Sequence, residues 1–126
     1  MKRLTTDNPM STLETCLNLC FAKDGEAWVR GYGENGADIT LNDLTRIIIE
    51  RFRLDISPGI EPYDDLPQNM YDALEDGLTS MEGITALMYC FSWVAAELRE
   101  RLKQYEDLGS IGELEEMKFR LEGLEK

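Results

Sequence analysis

The sequence predicts a mainly helical α+β domain, with four or five helices packed around a long central helix and one small β-hairpin. Three observations carry this. Apolar residues recur at three- and four-residue spacing along most of the chain, the signature of helices with one buried face. The stretch from Ile84 to Ala96 is apolar nearly all round, which predicts a buried central helix. Strand-like segments are confined to residues 27–41, between Gly-rich turns. With 126 residues, 43% of them hydrophobic, the chain has the length of a single domain, 1–126, and the material for a core.

The elements follow in order. Asp7-Asn8-Pro9 is a turn signal, and Ser11 with Glu14 forms a capping box. Leu13, Cys16, Leu17, Cys20 and Phe21 then recur at helical spacing, so a first helix is expected over about 11–21. Lys23-Asp24-Gly25-Glu26 breaks it, because Asp-Gly suits a tight turn. Ala27 to Arg30 reads as a short strand, residues 31–36 as a flexible loop, and Ala37 to Leu41 as a second strand pairing with the first. Gly31-Tyr32-Gly33 is not a phosphate cradle, since no strand–glycine turn–helix order surrounds it.

Thr40 or Asn42 caps a second helix with Leu41, Leu44, Ile47, Ile48 and Phe52 as its inner stripe, and Ser57-Pro58-Gly59 ends it. Asp65 caps a third helix, with Pro67 in the first turn and Gly77 as its stop. Thr79 or Ser80 caps the long helix, about 80–107, whose inner side is Ile84, Leu87, Met88, Phe91, Val94, Ala95, Leu98, Leu102 and Tyr105. After Gly109 and Gly112, the tail 111–126 places Ile111, Leu114, Met117, Leu121 and Leu124 on an a/d seam of two heptads. So short a seam is not stable alone. It either docks on the body or pairs with a second copy, making these five residues the candidates for self-association and a homodimer.

Charge is the strongest compositional signal. There are 13 basic and 25 acidic side chains, for a net charge of −12. Residues 1–60 are net −2 and residues 91–126 net −3, while residues 61–90 hold seven acids and no base. These acids are Glu61, Asp64, Asp65, Asp72, Glu75, Asp76 and Glu82. Such a field repels phosphate backbones and anionic lipid, which excludes direct nucleic-acid or membrane binding and favours a basic protein surface. Asp72, Glu75 and Asp76, at i, i+3 and i+4, are expected on one helix face. Trp28 follows a turn and joins the seven acids as a candidate partner contact, an aromatic anchor.

The chain has no histidine, which removes Ser-His-Asp and Cys-His catalysis and His metal sites. It carries no Walker loop and no dinucleotide fingerprint. No third ligand accompanies Asp64-Asp65, which read as a loop acid and a helix cap. Neither an enzyme, nor a metal site, nor a cofactor is expected. Cys16, Cys20 and Cys90 read as reduced core thiols, and the polar start and short apolar runs predict a cytoplasmic protein.

Two stretches carry a resemblance. The opening, Met1-Lys2-Arg3-Leu4-Thr5-Thr6-Asp7-Asn8-Pro9, resembles that of small prophage proteins of gut Firmicutes. The run from Ala96 to Asp107, ending in Gln104-Tyr105-Glu106-Asp107, is similar to their C-terminal helix, with Leu108 where Thr is usual. About 20 residues at the two ends are covered. The resemblance implies a phage or prophage origin, and through it an analogy with anti-CRISPR and other anti-defence proteins that place carboxylates where a nuclease expects phosphates. The expected function is thus inhibition of a host defence nuclease, with a CRISPR effector as partner and the acidic surface competing with nucleic acid. The alternative is a self-associating structural or regulatory phage accessory protein.

Overall fold

A computed structural model describes residues 3–109 and 111–124, the side chains of Ile111 and Leu124 excepted. Among them are five helices and one three-stranded antiparallel sheet, the mainly helical α+β class expected. The order is α1 (Thr12–Leu17), β1 (Cys20–Lys23), β2 (Glu26–Val29), β3 (Ile39–Thr40), α2 (Leu41–Phe52), α3 (Leu66–Ala73), α4 (Met81–Leu108) and α5 (Ile111–Leu124).

The first helix starts as expected and stops early. Glu14 N–H donates to the Ser11 hydroxyl and the Glu14 carboxylate accepts from Ser11 N–H, both at 3.1 Å, which completes the capping box. At Leu17 the helix ends, because Asn18 turns its side chain to other partners and Cys20 enters a strand. Asp24 and Gly25, at φ 54° and 76°, form the two-residue turn whose twist suits a hairpin. That turn folds β1 onto β2 with Lys23 opposite Glu26 and Cys20 opposite Val29. Hairpin pairing therefore overrides the helical spacing of Cys20 and Phe21. The expected pairing of the second and third segments is also present, with Trp28 opposite Thr40 and Val29 opposite Ile39.

Thr40 is the cap of α2, accepting from Asp43 N–H at 3.2 Å. The buried stripe of α2 is Leu41, Thr45 and Ile49, rotated from the expected one, so Ile47 and Phe52 are exposed. The Thr45 hydroxyl is satisfied by Leu41 C=O at 2.7 Å, which lets a polar side chain occupy the inner face. Cys20, Val29, Leu41, Ile49, Leu66, Met70, Tyr89 and Ala96 form the core between the sheet, α2, α3 and one face of α4. Tyr89 donates to Asn42 Oδ1 at 2.7 Å, and burial pushes its phenol up to about 12.

Ser80 caps α4, accepting from Gly83 N–H at 2.9 Å. Gly83 lies against the preceding turn, where a Cβ would sit 1.8 Å from Gly77 C=O, so the approach admits no side chain. The face that α4 turns inward is made of Gly83, Thr85, Ala86, Tyr89, Ala96 and Arg99. This corrects the expected inner side. Ile84, Phe91, Val94, Ala95, Leu98 and Tyr105 are exposed, and Trp93 is exposed, its ring edge-on to Tyr89 with the centroids 5.7 Å apart. Small residues bring the helix close to the sheet and α3, and the larger apolar residues are left on the opposite side. A second correction concerns the thiols. Cys20 is buried and Cys90 half-buried, both pushed up by burial, whereas Cys16 is exposed because α1 turns it outward.

The segment before α1 is strapped across α4. Glu106 accepts from Leu4 N–H at 2.7 Å, from Thr5 N–H at 2.9 Å and from the Thr5 hydroxyl at 2.5 Å. About two turns earlier, buried Arg99 donates to Asn18 Oδ1 at 2.9 Å, and Asn18 also accepts from Thr6 N–H at 3.0 Å. Asn18 Nδ2 donates to Leu4 C=O and Glu14 C=O, so this fully buried amide joins three segments of the chain.

Candidate binding groove

The groove begins where α2 ends. Arg53 adopts a left-handed conformation, φ 50°, and Leu54 N–H returns to Ile49 C=O at 3.0 Å, closing the helix. The chain then runs as a loop to Asp65. Asp64 holds this loop in shape. Its carboxylate accepts from the Ser57 hydroxyl, from Gly59 N–H at 2.9 Å and from Asn69 Nδ2 at 2.6 Å. The Ser57 and Asn69 bonds keep the Asp64 carboxyl below the usual range. Asn69 Nδ2 also donates to Ser57 C=O at 3.1 Å, tying the loop to α3. Gly59 sits at φ 71° with its missing Cβ 2.7 Å from Leu66, so the loop is pressed onto the start of α3.

Asp55, Ile56 and Ser57 on one side and Asn69, Asp72, Ala73 and Asp76 on the other line a shallow groove. Asp72 accepts from Gln68 Nε2 at 2.9 Å, and α3 gives way after Ala73 to a 3-10 turn that carries Asp76. All three aspartates are exposed, and among the described residues no lysine or arginine lines the groove. Glu82, in the first turn of α4, accepts from Asp55 N–H at 3.3 Å and supports the rim. The carboxylates do not converge on a point. Among the described residues no group of three or more His, Cys, Asp or Glu is placed to hold a metal ion.

The structure separates the acidic residues singled out in the sequence. Asp72 and Asp76 share the groove; Glu75 and Glu61 are exposed outside it. Asp64 is engaged within the loop, and Asp65 is the cap of α3, accepting from Gln68 N–H at 3.4 Å. Trp28 lies on the sheet, half-buried, stacked on Phe21 at 6.3 Å, with Lys23 over its ring and its indole N–H donating to Lys23 C=O at 3.2 Å. Leu114 is half-buried, Met117 and Leu121 are exposed, and the side chains of Ile111 and Leu124 lie outside the described residues. Asp55 is the groove residue that sequence reasoning missed. Its partners are 17 and 21 positions away, and no local pattern links a residue after one helix to a face of the next.

No helix among the described residues is long and apolar enough to cross a membrane. Comparison with protein-family models, with curated proteins and with solved structures finds no match.

Proposed function

We propose that this chain is a non-catalytic binding protein whose acidic groove takes a Lys- or Arg-bearing segment of a partner protein. The observation that supports the reading is the placement of Asp55, Asp72 and Asp76 along one groove whose described lining holds no lysine or arginine, in a chain of net charge −12. Carboxylates so arranged attract cations from a distance and speed encounter more than they raise affinity. A surface that binds nucleic acid is basic by necessity, so such a partner offers the complementary charge. The prophage-like ends of the sequence direct the proposal to an inhibitor acting inside a bacterial cell, on a host defence nuclease such as a CRISPR effector. The groove would hold the basic surface that nucleic acid otherwise occupies.

The test is displacement. Titrated into a defence nuclease carrying labelled nucleic acid, the wild-type chain should lower the bound fraction, and more so at low salt. The Asp55→Asn/Asp72→Asn/Asp76→Asn variant should displace at least tenfold less. Failure of the wild type to displace from any effector tried contradicts the inhibitor reading. Equal displacement by both proteins contradicts the groove.

A further inference from the structure

The outer face of α4 repeats every seven residues. Ile84, Phe91, Leu98 and Tyr105 occupy one heptad position, and Leu87, Val94, Arg101 and Leu108 stand three residues after each. This face points away from the core. Phe91 is 65% exposed, Leu98 59%, Tyr105 65% and Leu108 68%, with Ile84 and Val94 about half exposed. Isolated exposed apolar residues need no explanation, but a contiguous stripe along a 28-residue helix does.

We infer that this stripe is an interface for a second copy of the same chain, with the two α4 helices running antiparallel. Three arguments select that occupant. The first is length. α4 spans about 42 Å at 1.5 Å per residue, while α5 has 14 residues, half as many, and could cover only part of the stripe by folding back. A second α4 covers all of it. The second argument is area. Side chains carrying roughly 150–200 Å² each, about half exposed at seven positions, bury on the order of 600 Å² per copy and ~1,200 Å² in all, the lower bound of stable specific interfaces.

Charge supplies the third argument and fixes the direction. The stripe contains one charged residue, Arg101, paired at its edge with Glu97 at 3.7 Å. In a parallel, in-register pair, Arg101 would face its own copy across the seam, a like-charge layer. An antiparallel pair instead layers Ile84 on Leu108, Leu87 on Tyr105, Phe91 on Arg101 and Val94 on Leu98, each layer generating its twin by the twofold axis. Arg101 then lies on the face of Phe91, where the ring attracts a cation. The strict seven-residue repeat is also the one that keeps two helices in register by a left-handed supercoil.

Sedimentation of the full chain over a range of concentrations tests the interface. The wild type should move from monomer to dimer within the micromolar range. Leu98→Glu should stay monomeric with unchanged far-UV circular dichroism, since Leu98 is outside the core. A wild type monomeric at hundreds of micromolar overturns the proposal, as does a Leu98→Glu dimer. Truncation after Gly109 should leave the dimer intact; its loss would assign the pairing to α5. Direction is read by oxidising Ile84→Cys and Leu108→Cys chains together, each in a Cys16→Ser background. Disulfides joining position 84 to position 108 are expected. Disulfides of 84 to 84 and 108 to 108 would overturn the antiparallel arrangement.

Discussion

Glu106 shows how much of this structure rests on single polar side chains. Removing its charge from water raises the carboxyl, but the donors from Leu4 and Thr5 and the nearby Arg3 outweigh that, and its pKa falls below the ordinary 4.5. Arg3 also reaches Asp107 at 2.5 Å, and Lys103 reaches Asp107 at 3.2 Å, so the same strap is held by two lowered carboxyls. A lowered folded pKa means stability that is fully present above the unfolded value and is lost as pH falls through the folded one. The strap should therefore loosen in acid, below the ordinary carboxylate range. Urea midpoints of wild type and Glu106→Gln should differ clearly at pH 7, and by progressively less as the pH falls below the ordinary carboxylate range. An equal difference at every pH would show that the charge is not what holds the strap. None of this was legible in the sequence. Glu106 and Thr5 are 101 positions apart, and their residue types suit a solvated helix and a polar terminus equally well.

Among the elements, α4 was the easiest helix to foresee and the hardest to orient. Its existence follows from length, the Ser80 cap and the absence of proline from 81 to 108. Its inner face does not, because an all-round apolar segment has no polar side to mark solvent. The face against the core is chosen by size: Gly83, Ala86 and Ala96 admit close approach, and Phe91 and Leu98 do not. At concentrations where the chain is monomeric, Phe91→Ala should cost less than about 1 kcal/mol, as a surface change does. Met70, fully buried in α3, should cost about 2–5 kcal/mol when replaced by Ala. Urea denaturation of the two variants checks this, and a larger loss at Phe91 than at Met70 would reverse the assignment of faces. The boundary between α1 and β1 was misread for a related reason. Four-residue spacing of Cys16 and Cys20 fits a helix, but Asp24-Gly25 makes hairpin pairing available to Cys20–Lys23, and tertiary pairing prevails over a short helix.

At the scale of the whole molecule, charge and apolar surface are separated. The groove lies beside the start of α4, where Glu82 bonds to Asp55, and the apolar stripe runs along that helix away from the core. Antiparallel pairing of α4 would set two acidic grooves at opposite ends of one dimer, able to engage two basic segments at once with the gain in avidity that brings. The sequence marked the acidic stretch 61–90 but not which of its acids line one groove. That depends on Asp64 folding the loop so that Asp55 meets Asp72 and Asp76. The groove is the centre of the functional account, and it can be tested without knowing the partner. The measurement is an NMR titration of the isotope-labelled chain with an Arg- and Lys-rich peptide at low salt. Backbone amide shifts should concentrate at Asp55, Asn69, Asp72 and Asp76 and vanish in the triple Asn variant. Shifts centred on Glu61, Glu75 or the acids of α5, or unchanged by the triple substitution, would contradict the groove as the recognition surface.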